Sequence, residues 1–169
     1  MQPSDRERLE ARKQRLRATL IRSRDGEYLR PLVTTLRQPP TRCSRVSVRA
    51  LASILGPVMA LEGKGDRIDW AQLPEGACNV WDTRPDRDAL FRRALGELAR
   101  PTDRIIVAWH PLRAGLRIRA GDADRLAPDI LDAAPDLWVV PADRPGWLIE
   151  VAHFDHQVCY ARTLARRVP

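Results

Sequence analysis

Short apolar runs in the second half of the chain constrain the fold most strongly. The longest of them, residues 105–109 and 137–140, have the length of a β-strand and consist mainly of β-branched and aromatic residues. A helix that crosses a membrane needs about 18 or more consecutive apolar residues, and no segment of the sequence approaches that length. These runs therefore predict the strands of a sheet, with no membrane span.

Strand patterns recur towards the C-terminus and are separated by turns. Leu116 and Ile118 alternate with Arg117 and Arg119, which is the pattern of a strand with one face exposed. Strands are predicted over residues 78–81, 104–110, 116–120, 137–140, 147–152 and 157–163. We expect the last five to form an antiparallel meander, interrupted by a helix over 123–133 that Pro128 shortens or kinks.

Helical spacing is clearest over residues 85–99. Thr83 or Asp82 is placed to cap this helix, Pro85 falls in its first turn, and its apolar stripe consists of Leu90, Phe91, Ala94, Leu95 and Leu98. A second helix is predicted over 47–55 with Ser47 as its cap, and we expect both helices to cover one face of the sheet. Residues 62–76 are rich in glycine and are expected to be irregular. The fold class is therefore predicted to be α+β, with an antiparallel β-meander packed against two or three helices.

Charge divides the chain into a basic N-terminal segment and an acidic body. Residues 1–49 carry 13 basic and 5 acidic side chains, whereas residues 50–161 carry 13 basic and 17 acidic side chains. A chain of 169 residues has room for one ordinary domain. We therefore predict a basic helical arm with a Pro-rich linker over 1–42, followed by a single α+β domain over 43–169.

The arm itself carries helix signals. Ser4 and Glu7 form a capping box that predicts a helix over 5–24, and a second short helix is predicted over 28–36. Charged residues stand where a secretory signal would have its apolar core. We therefore expect the protein to be cytoplasmic.

Cysteine usage is sparse. Cys43, Cys78 and Cys159 are odd in number and widely spaced, which is not a disulfide framework. In a cytoplasmic protein the simplest expectation is three reduced thiols.

Most enzyme motifs are missing from the sequence, including the common dinucleotide, P-loop, nucleophile-elbow and zinc-protease patterns. His110, His153, His156 and Cys159 are residue types that bind zinc or form a thiol nucleophile with its base. A His-x-x-His pair with one distant cysteine is not a typical zinc spacing, and a small buried thiol explains Cys159 equally well. We therefore predict no metal and no cofactor, and an enzyme that uses His153, His156 and Cys159 remains the third functional hypothesis.

Arginines of the arm suggest an anionic partner. Side chains that are able to neutralise phosphates include Arg6, Arg8, Arg12, Arg15, Arg17, Arg22 and Arg24. Acidic residues are interleaved with them, and 27 of the 29 basic residues of the chain are arginine, which codon usage in a GC-rich genome also produces. A nucleic-acid-associated regulatory protein that uses Arg6, Arg12, Arg15, Arg17, Arg22 and Arg24 is the second hypothesis.

The C-terminal strands carry a family resemblance. Residues 105–111, 137–140 and 147–162 contain apolar strands, and the last range has a strand ending in glutamate, a polar turn and a strand with an aromatic residue and arginine. This arrangement over about residues 78–163 resembles the sheet of small bacterial immunity proteins, which accompany polymorphic or contact-dependent toxins. The resemblance implies a non-enzymatic cytoplasmic protein that blocks a partner through an exposed surface.

The leading hypothesis from the sequence is therefore a non-catalytic, immunity-like protein-binding module. An acidic body suits a basic toxin by charge complementarity. We expect Trp147, Glu150 and Asp155 to form an exposed contact set for the protein partner.

Overall fold

The computed structural model describes residues 30, 33–34, 43–47, 50–51, 63–64, 67–68, 70, 76–110, 114–143 and 146–162. The strands in these ranges are Ser44–Val46 (β1), Gly63–Lys64 (β2), Arg67–Ile68 (β3), Ala77–Val80 (β4), Arg104–His110 (β5), Ala114–Arg119 (β6), Asp136–Pro141 (β7), Leu148–Ala152 (β8) and Gln157–Ala161 (β9). The helices are Arg84–Leu98 (α1), Ala120–Arg125 (α2) and Ala127–Asp132 (α3). The predicted helix over 5–24 lies outside the described residues, and Arg30, Val33 and Thr34 are helical within the one predicted over 28–36.

Seven strands form one antiparallel sheet in the order β1-β6-β5-β7-β8-β9-β4. The α+β class is confirmed, and β7, β8 and β9 form the predicted meander. The meander is broken between β6 and β7, because the chain passes through α2 and α3 and returns on the other side of β5. Strand β5 therefore lies between β6 and β7 and pairs with both.

The central strand β5 is buried on both of its faces. Ile105, Val107 and Trp109 contact the core beneath the helices, whereas Ile106 and Ala108 belong to a separate apolar cluster on the opposite side. All five side chains are at most 3% exposed. We call the two sides the helix face and the second face. Both must be covered by other parts of the chain.

Covers for the two faces come from different parts of the sequence. Helices α1 and α3 cover the helix face with side chains that include Phe91, Leu95 and Ile130. Ser47 caps a helical segment as predicted, since its Oγ accepts a hydrogen bond from the Ala50 N–H at 3.3 Å. Leu51 of that segment packs on the second face. The expectation that this segment and α1 cover the same face is therefore wrong.

Helix α1 begins as its sequence predicts. The Thr83 hydroxyl accepts a hydrogen bond from the Asp86 N–H at 3.3 Å, and the Asp86 carboxylate accepts one from the Thr83 N–H at 3.1 Å. This reciprocal capping box satisfies two backbone donors that the first turn leaves free. Pro128 lies in the first turn of α3 and divides the single helix predicted over 123–133 into α2 and α3.

In the part of the chain that the structure describes, no helix combines the length and the apolar composition that crossing a membrane requires.

Residues 62–76 are not wholly irregular. Gly63 and Lys64 pair antiparallel with Ile68 and Arg67, and Ile68 is buried on the second face. The prediction of irregular structure is therefore wrong for this short pair, whose apolar residue helps to cover the sheet.

Two of the three cysteines are bonded to each other. Cys78 of β4 lies directly opposite Cys159 of β9, with 4.1 Å between their Cα atoms, and their sulfurs form a disulfide. Such close Cα atoms are typical of a non-hydrogen-bonded pair in an antiparallel ladder. The expectation of reduced thiols is wrong for these two residues, and Cys43 is the free cysteine of the described residues.

Gly115 tests the packing of the second face, and Gly96 in α1 is its control. A Cβ atom on Gly115 would lie 2.9 Å from the Val107 carbonyl oxygen and 3.1 Å from Leu51 Cδ2, whereas one on Gly96 in α1 would meet nothing within 4 Å. We expect Gly115→Ala to lower the free energy of unfolding by about 1–3 kcal/mol, because backbone must move to admit the methyl group. The matched Gly96→Ala should raise it by about 1 kcal/mol, because alanine favours a helix over glycine. Urea unfolding measures both, and an unperturbed Gly115→Ala would contradict the packing of Leu51 over β6.

Candidate protein-binding surface

Glu150 lies on the second face of β8 and is buried. It is 7% exposed, and one carboxylate oxygen accepts a hydrogen bond of 2.7 Å from Trp138 Nε1 while the other accepts one from Trp70 Nε1. The expectation that Glu150 is exposed is therefore wrong. Its carboxylate instead joins the sheet to Trp70, which belongs to the cover of that face.

The structure does not bring the three predicted contact residues together. Trp147 is half-buried against the core of the helix face, whereas Glu150 lies on the second face. Asp155 is exposed, but it lies in the β8–β9 turn, at the opposite end of β8 from Trp147. Strand β8 spans roughly 17 Å at the usual rise per residue. A single contact set of these three side chains is not formed.

Another set of side chains converges where β4 ends and α1 begins. Trp81 follows β4, and its ring stacks on that of His156 with 4.3 Å between centroids and 5° between planes. The Trp81 N–H donates a 2.9 Å hydrogen bond to the His156 carbonyl oxygen. His156 has a positive φ of 51°, which closes the β8–β9 turn. Ring stacking and backbone bonding thus fix this turn against the end of β4.

Beneath this pair lies a buried arginine. Arg87 of α1 is 2% exposed, and Nη2 lies 2.8 Å from the Asp88 carboxylate and 2.9 Å from that of Asp132 in α3. Nη1 donates to His153 Nε2 at 3.0 Å, and the guanidinium carbon lies 6.0 Å from the centroid of the Trp81 ring. A single side chain therefore joins α1, α3 and the β8–β9 turn.

The contact with Arg87 determines the protonation of His153. An arginine nitrogen can only donate, so Nε2 accepts and the ring proton of the neutral imidazole is on Nδ1. Burial lowers the pKa of His153 below its ordinary value of 6.5, and the positive charge of Arg87 lowers it further. His153 is therefore neutral at pH 7, and its imidazole serves as an acceptor.

Two large apolar side chains are exposed at this end of the β4–β9 pair, where Val80 lies directly across from Gln157, the residue that follows the turn. Val80, the last residue of β4, is 66% exposed, and Phe154 in the β8–β9 turn is 77% exposed. Asp82 and Asp155 beside them are exposed acids. We call Val80, Phe154, His156 and these two acids the corner surface. It presents apolar groups at a corner of the sheet, with two exposed acidic residues beside them.

The structure also shows where most of the residues of the enzyme and metal-site hypotheses lie. Cys159 is half of a disulfide, so the set His153, His156 and Cys159 contains no thiol nucleophile here. Among the described residues, no group of three or more His, Cys, Asp or Glu side chains is arranged to hold a metal ion. His110 ends β5, and its side chain lies outside the described residues.

The second hypothesis stays a prediction, because its residues fall in a part of the chain that the structure does not describe. These residues are Arg6, Arg12, Arg15, Arg17, Arg22 and Arg24.

Sequence reasoning named Asp155 but missed the rest of the corner surface and the buried arginine beneath it, although two signals were present. Arg87 lies four residues before Phe91 on the apolar stripe of α1, which indicates a buried guanidinium. Phe154 is a large aromatic residue in a polar turn, where no sheet face is available to bury it.

No protein-family model, curated protein or solved structure matches this chain. The resemblance of its C-terminal strands to bacterial immunity proteins stays a prediction.

Replacing Arg87 tests the buried cluster. Arg87→Ala should lower the free energy of unfolding by about 1.5–3 kcal/mol, because it removes the charge-assisted hydrogen bonds of a buried guanidinium. Arg84 is the matched control, since it lies one turn earlier, is 77% exposed and also pairs with Asp132, at 3.5 Å. Arg84→Ala should change stability by less than about 0.5 kcal/mol. Equal losses in urea unfolding would show that burial of Arg87 is not the cause.

The lowered pKa of His153 predicts a pH dependence of stability. Below the ordinary pKa of 6.5 the unfolded chain protonates this imidazole before the folded chain does, so acid favours the unfolded state. We expect the stability due to His153 to be fully present above that pH and to be lost as the pH falls below it. His153→Gln keeps all other titrations, so the difference in unfolding free energy between the two proteins isolates this residue. A difference that is constant between about pH 5 and 8 would refute the assignment.

Proposed function

We propose that this chain is a non-catalytic protein-binding module that docks a partner protein on its corner surface. The observation that carries the proposal is the exposure of Val80 and Phe154, 66% and 77%, at one corner of the sheet. Exposed apolar groups ringed by polar residues mark interaction sites, and aromatic residues are enriched at the centres of such sites. Phe154 is the anchor in this proposal, and Val80 widens its apolar contact.

Rigidity of the corner supports the same proposal. The Cys78–Cys159 disulfide ties β4 to β9, and the Trp81–His156 stack ties the turn to β4. Binding to a surface that is already ordered loses less conformational entropy. Phe154 is thus presented on a turn that is fixed before the partner arrives.

Charge specifies the kind of partner. Asp82 and Asp155 are exposed beside the apolar pair, whereas Arg87 is buried in ion pairs and Arg84 faces Asp132. A partner with an apolar pocket and a basic rim complements this arrangement, and such complementarity speeds and orients association. Neutralisation of a bacterial toxin is the finer form of the proposal, and its support is the resemblance seen in the sequence.

An affinity experiment with two double variants tests the proposal. Tagged full-length protein is incubated with nuclease-treated lysate of its source cell at low and moderate salt, and recovered proteins are quantified by mass spectrometry. Val80→Ser with Phe154→Ser should reduce recovery of a stoichiometric partner at least about tenfold, as loss of an apolar hot spot does. Arg92→Ser with Arg93→Ser removes two exposed side chains from the outer face of α1 and should retain the partner.

Both double variants should keep the wild-type melting temperature to within a few degrees, since the replaced side chains are exposed. The proposal fails if the wild-type chain recovers no stoichiometric partner. It also fails if the Val80 and Phe154 variant recovers as much of that partner as the wild type does.

A further inference from the structure

Three arginines share one face of the sheet near the edge opposite β4. Arg104 in β5 lies directly across from Arg119 in β6, and Arg117 lies directly across from Ser44 in β1. Residues that are opposite each other, and alternate residues along one strand, point to the same side of a sheet. Arg104, Arg117 and Arg119 therefore project together from the second face. We call these three residues the arginine notch.

The three arginines of the notch line a cleft. A cavity of about 120 Å³ is lined by Cys43, Ser44, Arg104, Arg117, Ile118 and Arg119. No acidic side chain is among these residues. Ser44 contributes a hydroxyl, so the polar groups around the cleft are three guanidinium groups and one alcohol.

The charges of the notch are not balanced within the described part of the chain. Among the described residues, no hydrogen bond or ion pair involves the side chains of its three arginines, and the Nε of Arg117 is buried without a partner there. The acids nearest in sequence are committed to other arginines, Asp103 to Arg100 at 3.3 Å and Asp122 to Arg125 at 3.4 Å.

This arrangement differs from the rest of the described surface. Most other arginines there have a carboxylate partner, namely Arg84, Arg92, Arg93, Arg100 and Arg125. Like charges directly across a ladder destabilise a sheet, and a buried N–H without an acceptor costs free energy. An anion in the cleft would relieve both costs at once.

We infer that the arginine notch binds a single phosphate group. Guanidinium groups bind phosphate oxygens through two parallel N–H donors, which gives both charge and directional hydrogen bonds. Pockets for whole small molecules usually measure about 300–1,000 Å³, so a 120 Å³ cleft accepts one anionic group and leaves a sugar or base outside. The Ser44 hydroxyl is a fourth donor.

Two sources supply this chemistry, a free phosphate or phosphomonoester and the phosphodiester backbone of nucleic acid. Cys43 and Ser44 line the cleft and directly follow the basic segment 1–42 in the chain. The backbone of a nucleic acid is therefore one arm of the test, and inorganic phosphate is the other.

Calorimetric titration of the full-length protein with inorganic phosphate tests the site. Arg119→Gln replaces an exposed side chain and should leave the fold unchanged, and Arg117→Gln removes the buried unpartnered donor. Each should weaken phosphate binding about tenfold or more, since one charge-assisted hydrogen bond contributes that much. Arg92→Gln is the control, because it makes the same change in net charge at an arginine that faces Asp124. It should leave binding unchanged.

A short single-stranded oligonucleotide distinguishes the two sources. If phosphodiester is the ligand, the oligonucleotide binds more tightly than phosphate, phosphate displaces it, and Arg119→Gln weakens it more than Arg92→Gln does. If only phosphate binds, and the notch variants weaken it, the site takes free phosphate or a phosphomonoester. The inference is overturned if neither probe binds, or if Arg92→Gln weakens binding as much as the folded Arg119→Gln variant does. Val80→Ser with Phe154→Ser should not alter phosphate binding, so this test is independent of the proposed partner surface.

Discussion

Burial of β5 on both faces is the constraint on which the remaining structure depends. A strand that exposes almost none of its apolar surface must lie inside a sheet and must have a layer above and below it. Helices α1 and α3 form one layer. Leu51, Ile68 and Trp70 contribute to the other. The N-terminal part of the domain is therefore needed to complete the interior.

Two buried polar groups determine how those layers are positioned. The Glu150 carboxylate is held by two indole N–H groups, one from the sheet and one from its cover. Arg87 plays the same part on the helix face, where it meets carboxylates and an imidazole. Burying such groups without partners costs free energy. Each group is therefore compatible only with layer positions that supply its hydrogen-bond partners. The contacts of Arg87 also position the β8–β9 turn, and therefore the corner surface.

Local patterns in the sequence predicted much of the fold. The strand over 104–110 and the capped helix α1 follow from side chains that are neighbours in sequence, and both agree with the structure. The order of the strands in the sheet could not be predicted in this way. Alternation of apolar and polar residues shows which residues of a strand share a face, but it does not show which other strands are its neighbours.

Interactions between distant strands account for the remaining errors. Cys78 meets Cys159, and Glu150 meets Trp70, only after β4 and residues near β3 take their places. The exposed contact set predicted around Glu150 was wrong for the same reason, since its burial depends on a cover from 80 residues away. The arginine notch likewise needs the register of β5 with β6, although the alternation of Arg117 and Arg119 was visible in the sequence.

The disulfide makes a closed covalent ring of the chain between Cys78 and Cys159, which are 81 positions apart. Helices α1 to α3 and the central strands all lie within that ring, so a single break in its backbone would leave one connected molecule. Residues before Cys78 are an open tail by comparison. The helices of one layer are therefore enclosed in the ring, whereas the layer over the second face belongs to a tail whose unfolded conformations the disulfide does not restrict.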